Sequence, residues 1–301
     1  MKKKSLLLVT FLLTMNLCFS QKKSRIHRER AYISIDQYRN IYKKTITKKD
    51  IKNLIIKDGD SLIFISNKEF YKKGVSVPYQ PKDSNFLEIY KDVVYQKYNL
   101  NKSKNKRKNF MRLWRIPIKI YFAKSLDLEY KEAIIKTSNL LSNKIDSLNI
   151  SFVNDIEKSN YIIYQVDKNN SYRYEKRMSK NQYIDYFLYW KNNKIYDGKL
   201  EVNLTKFKNQ SKYTNVNYIN QVFFKSLGRF YESDRMSKGS VLFKKNTNRK
   251  SITKEDIEIL KYHYSFGICK GTDLEKFEEQ HKEAIDYYKK TGRHLRFKHI
   301  D

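Results

Sequence analysis

Just past a helical stretch the chain carries two carboxylates two residues apart, Glu232 and Asp234, in the run Tyr231-Glu-Ser-Asp-Arg235. A pair of that kind can hold a cation or divide the acid and base roles of a hydrolysis. In a turn it also serves as a solvated cap, with Asp234 accepting from local backbone amides. The five histidines offer less chemistry. His27, His263, His281, His294 and His299 contain no i, i+4 pair, so no helix presents two imidazoles to one metal ion. Of the two cysteines, Cys18 lies in an apolar leader and Cys269 reads as a small buried hydrophobe. Cationic blocks with interleaved tyrosine, Lys102–Lys108 and Tyr172-Arg-Tyr-Glu-Lys-Arg177, suit a polyanion or a solvated basic surface.

Positioning such groups takes a folded frame, and the composition supplies one. The 301 residues include 63 Lys+Arg against 32 Asp+Glu, a formal net charge of +31, with 40% hydrophobic and 15% aromatic residues. That apolar content excludes wholesale disorder, and two cysteines exclude a disulfide framework. Met1–Ser20 reads as a secretory leader: Lys2, Lys3 and Lys4, the apolar run Leu6–Leu13, then Cys18-Phe-Ser20 with a cut after Ser20. A lipid anchor on Cys18 is the alternative, disfavoured by Asn16 and Leu17. Cleavage implies a secreted or periplasmic protein with one thiol.

Residues 21–98 form a small basic N-terminal region, with Ser61–Ser66 a strand after the Asp58-Gly-Asp60 turn and Ser84 capping a helix. Residues 99–109 hold five cations and no acid, which reads as a linker. Beyond it, Trp114–Phe122 alternates as a strand with an edge or bulge at Pro117. Asp127 caps a helix with apolar positions Tyr130, Ala133, Ile134, Leu140, Leu141 and Ile145. Strands follow at 150–153, 161–166 and 200–204, the last after a tyrosine-rich stretch, 172–196. Three helices end the chain: 216–230, one capped by Thr253 with Asp256, and one running from Thr272 to Gly292 with Glu275 as its capping partner. Strand, helix, strands and then helices predict an α+β fold.

The 216–230 helix ends Gln221-Val-Phe-Phe-Lys-Ser-Leu-Gly-Arg-Phe-Tyr231. In an active metzincin this segment reads H-E-x-x-H-x-x-G-x-x-H, with zinc on three His and Glu as base. Downstream, Ser240-Val-Leu-Phe243 is similar to the Met-turn, and Ser251–Tyr264 to the helix after it. Leu227-Gly228, Glu232-Ser-Asp-Arg235 and Ser240-Val241 also resemble a run in the bacterial domain-of-unknown-function 2927 family. The likeness spans about 110–266 and implies a zincin-like domain with a mixed sheet and long helices, the residues 267–301 adding a C-terminal helix and basic tail. Under it, Gln221, Lys225 and Tyr231 stand at the ligand positions, Val222 at the base, Gly228 at the break and Leu242 at the Met.

An amide, an ammonium and a phenol do not make a zinc site, and valine accepts no proton. The resemblance therefore implies a pseudo-metallopeptidase without metal or cofactor, binding a peptide or an envelope component. The positive charge adds an anionic envelope polymer as a candidate partner, with nucleic acid the less expected polyanion. Two other expectations stand beside it: a hydrolase using Glu232 and Asp234, and a basic polyanion-binding protein.

Overall fold

The computed structural model describes residues 32–35, 54–57, 60–64, 75–100, 109–205, 212–245 and 250–299. The leader, Cys18, His27, the Asp58-Gly59 turn and the Lys102–Lys108 run lie outside the described residues. The chain divides into two compact units, residues 1–74 and 75–301. In the first, β1 (Tyr32–Ser34), β3 (Asp60–Phe64) and β2 (Leu54–Lys57) pair antiparallel in that order, with Ile63 buried.

The second unit is α+β. Its central sheet uses β5 (Leu113–Trp114), β6 (Ile118–Phe122), β7 (Ile150–Val153), β8 (Tyr161–Val166), β9 (Ile184–Lys191) and β10 (Lys194–Asn203). Strands β7, β6, β8 and β10 run parallel in that order. Leu200 of β10 faces both Ile163 of β8 and Tyr186 of β9, so β9 closes the sheet as an antiparallel edge strand. All six β8 residues are buried because the strand is covered on both faces. Tyr161 and Ile163 join the main core, while Ile162, Tyr164 and Val166 pack with Met178.

Proline explains the split between β5 and β6. The predicted strand 114–122 is interrupted at Pro117, which has no N–H to donate. The edge strand β9 falls in the tyrosine-rich stretch that was not expected to be a strand, and β10 begins at Lys194 rather than Leu200. Its signal is the Asn192-Asn193 turn: both residues take positive φ (49° and 62°), as a two-residue hairpin requires.

Helices α1 (Ser84–Tyr95), α2 (Lys97–Leu100), α3 (Leu128–Lys144), α4 (Lys212–Ser226), α5 (Lys254–Tyr264) and α6 (Leu274–Thr291) are the described α-helices of this unit. Sequence spacing groups α1 with the region 21–98, yet Tyr90, Val93, Val94 and Tyr95 enter the same core as Phe230, Tyr262 and Phe277. The ring of Tyr90 meets that of Tyr262 edge-on at 4.9 Å. Nor is 267–301 an appendage: Phe277 of α6 is in the core, and β11 (Arg296–His299) pairs antiparallel with β4 (Val75–Pro78).

The caps of α1 and α6 each sit one residue away from expectation. Asp83, not Ser84, accepts from the Phe86 amide, and Asp273, not Thr272, accepts from Lys276. Thr272 instead meets the Tyr95 hydroxyl at 3.2 Å. Asp127 occupies the cap position of α3, but its carboxylate bonds the Gln165 side chain rather than the helix. Leu140, expected on the buried face of α3, is exposed. Among the described residues no helix is long and apolar enough to cross a membrane.

Candidate functional site

Helix α4 buries the expected stripe of Ile219, Val222 and Phe223, continued by Leu227 and Phe230 beyond its end. It spans Lys212–Ser226 rather than 216–230. A helix end leaves carbonyls without partners, and here aromatic side chains supply them. The Trp114 indole donates to the Ser226 carbonyl and the Tyr264 hydroxyl to that of Leu227 at 2.7 Å. The Tyr161 hydroxyl donates to Ser226 Oγ at 2.8 Å, which in turn donates to Phe223. Strands β5 and β8 and helix α5 thus pin the end of α4.

Gly228 was expected at the break of this helix. The left-handed residue is instead Arg229, at φ 52°. Glycine is required at 228 for space, since a Cβ there would lie 2.4 Å from the Phe230 ring. Arg229 therefore holds a conformation unfavourable for a side-chain-bearing residue by about 1–2 kcal/mol, and the Phe230 amide closes the turn on the Lys225 carbonyl at 2.9 Å.

The segment that follows is fastened from below. Tyr231 N–H donates to Val93 of α1, and Ser233 Oγ donates to Asp92 at 2.5 Å. Ser233 also bridges to Phe243, which brings in the Ser240–Phe243 turn with Val241 and Leu242 fully buried. Asp256 holds that turn, accepting from Ser240 Oγ at 2.5 Å and from the Val241 amide. The same carboxylate takes Thr253 N–H and Oγ1, completing the expected capping box of α5. Burial pushes the Asp256 carboxyl up, against the pull of those donors.

On this frame Gln221 and Lys225 converge. Gln221 Nε2 donates to Glu232 Oε1 at 2.9 Å, and Lys225 Nζ donates to the same oxygen at 3.2 Å. Val222 and Leu242 face the core, Gly228 is buried, and Tyr231 is half-buried beside the Arg229 guanidinium. Glu232 and Asp234 do not act as a pair: Asp234 is exposed, 3.6 Å from Lys244. Lys250 is buried and donates to the Phe243 carbonyl. Burial lowers its pKa, which Glu232 opposes and Lys225 reinforces.

Between this cluster and β9 lies a cleft of about 530 Å³, bordered by Asp185, Tyr186 and Trp190 on the strand and by Lys225, Arg229, Tyr231 and Glu232 opposite. Burial pushes both the Asp185 carboxyl and the Tyr186 phenol up. Sequence reasoning missed this wall altogether, together with Arg112, whose guanidinium stacks on Trp190.

A zinc ion of the kind an active metzincin holds does not fit these donors. Zinc takes imidazole, thiolate or carboxylate, and here an ammonium group already holds the Glu232 oxygen. Among the described residues no three His, Cys, Asp or Glu side chains gather for a metal. His263 and His281 serve the core. His263 Nε2–H donates to the Arg112 carbonyl at 2.8 Å while Nδ1 accepts from Tyr90. His281 Nε2 accepts from Tyr262 at 2.7 Å. Burial lowers the pKa of both, that of His263 to about 3. Cys269 is a free, half-buried thiol raised by burial.

Compared with known proteins, the chain matches no family model and no curated protein.

Proposed function

We propose that this is an exported, non-catalytic protein with a degenerate zincin-like domain that holds an extended peptide in the cleft under β9. The observation that carries the reading is the arrest of the motif positions: Gln221 and Lys225 are both spent on Glu232, directly across the cleft from an edge strand. The sheet order, with one antiparallel edge strand above the α4 end, supports the zincin-like assignment, as does the Ser240 turn tied to α5 through Asp256. An edge strand offers its outer amides and carbonyls to a peptide laid alongside it, and among the described residues β9 pairs with β10 alone. The leader sequence supports export to the periplasm or beyond, where peptide segments of envelope proteins are available partners.

The test is fluorescence anisotropy of the mature protein with a labelled random octapeptide pool, followed by mass analysis of the pool. Saturable binding with intact peptides is the expected result. Absence of binding up to about 1 mM peptide, an affinity of only about 4 kcal/mol, overturns the peptide cleft. Shortened peptides overturn its non-catalytic nature.

A further inference from the structure

One end of the cleft has an arrangement that neither the fold nor the Gln221–Glu232 cluster requires. Trp190, 39% exposed at the end of β9, carries two guanidinium groups: Arg112 with its Cζ 4.2 Å from the ring centroid and Arg229 at 5.0 Å. Arg229 also lies 5.6 Å from the Tyr231 ring. Among the described residues neither arginine has a carboxylate partner, and Arg112 Nε is buried without any hydrogen-bond partner. Burial, with Arg229 adding its charge, lowers Arg112 to about 10. Two cations held together on one ring repel each other, and Arg229 reaches its place only through a left-handed backbone. A structural role would be served by one arginine. Arg229 and Trp190 border the cleft, Arg112 lies on the same ring, and guanidinium groups are the donors that a carboxylate takes in bidentate hydrogen bonds.

We propose that Arg112 and Arg229, stacked on Trp190, bind a carboxylate of the peptide in the cleft, so that the ligand is an acidic peptide. This rests on the peptide-cleft reading above and adds the chemistry that selects the ligand. Planar guanidinium groups pre-aligned by the indole lose little freedom on meeting the carboxylate, and the Arg112–Arg229 repulsion is relieved in the same step.

The experiment compares two octapeptide pools, random except for one fixed central position that is Glu in one pool and Gln in the other. Binding is read by anisotropy at about 0.3 M salt, where the screening length is below about 8 Å and bulk positive charge is muted. Arg229→Gly removes the fork while giving the left-handed position to a residue that accepts it without strain. Lys158→Ala, removing a cation that is 74% exposed on its side chain, is the charge-matched control. The expected result is a preference of about tenfold for the Glu pool, as charge-assisted hydrogen bonds provide, lost in Arg229→Gly and kept in Lys158→Ala. Equal binding of the two pools by the unaltered protein overturns this inference and leaves the peptide cleft standing. A preference that survives Arg229→Gly, or falls as much in Lys158→Ala, also overturns it. Failure of both pools to bind overturns the cleft reading and this inference with it.

Discussion

Two carboxylates in the second unit, Asp256 and Glu232, gather hydrogen-bond donors in contrasting ways. Asp256 is fully buried and takes donors from Ser240, Val241 and both groups of Thr253. Glu232 takes two donors from α4, yet its side chain remains 29% exposed. The buried carboxylate joins a turn to a helix and has no exchange available with water. The open one sits where solvent or a ligand can replace either partner. The difference teaches that the frame of the cleft is held from behind, by groups that never face it. Side chains that do face it can therefore vary while the fold survives.

That contrast breaks most directly at Asp256. Asp256→Ala strands buried donors on the turn and on α5 at once, and is expected to destabilise the protein by about 3 kcal/mol or more, read as a fall in the urea midpoint. A loss below about 1 kcal/mol would make the turn as dispensable as the cleft. Gly228→Ala tests the frame from the helix end. Its methyl group meets the Phe230 ring, so a loss of about 1–3 kcal/mol is expected from overpacking, whereas a site with room for the methyl group would show far less.

The core histidine sharpens the comparison through pH. The pKa of His263 falls from 6.5 to about 3 on folding, so the unfolded chain takes up its proton first as the medium is acidified. Its contribution to stability is intact above about 6.5 and drains between there and about 3. At pH 5 the loss is about 2 kcal/mol, and His263→Gln should flatten that part of the stability–pH curve in urea titrations. Smallest of all is Glu232→Gln. It replaces a half-solvated ion pair, so stability should change by less than about 1 kcal/mol. A fall as large as that of Asp256→Ala would show that the cleft cluster is structural after all.

Local spacing made much of the frame legible in advance. The stripe of α4, the strands at 150–153 and 161–166 and the Thr253–Asp256 box all depend on residues a few positions apart, where helix and strand periodicity speaks directly. The caps of α1 and α6 were displaced by one residue because Asp83 and Asp273 stood beside equally plausible hydroxyl groups. Strand β9 went unseen: its run Ile-Asp-Tyr-Phe-Leu-Tyr-Trp-Lys alternates poorly, and the Asn-Asn turn was its clearest signal.

What the sequence determined by itself was the locally periodic elements, such as the strands at 150–153 and 161–166 and the apolar stripe of α4, and the residue types at 221, 225 and 231, an amide, an ammonium and a phenol, which are not a zinc donor set. Tertiary structure decided the rest. It carried α1 into the core, set β9 across from Lys225, turned Glu232 toward α4 and Asp234 away from it, and laid Arg112 and Arg229 on Trp190. Those meetings join residues up to scores of positions apart. No local periodicity encodes them, because they follow from which faces the packed sheet and helices leave for one another.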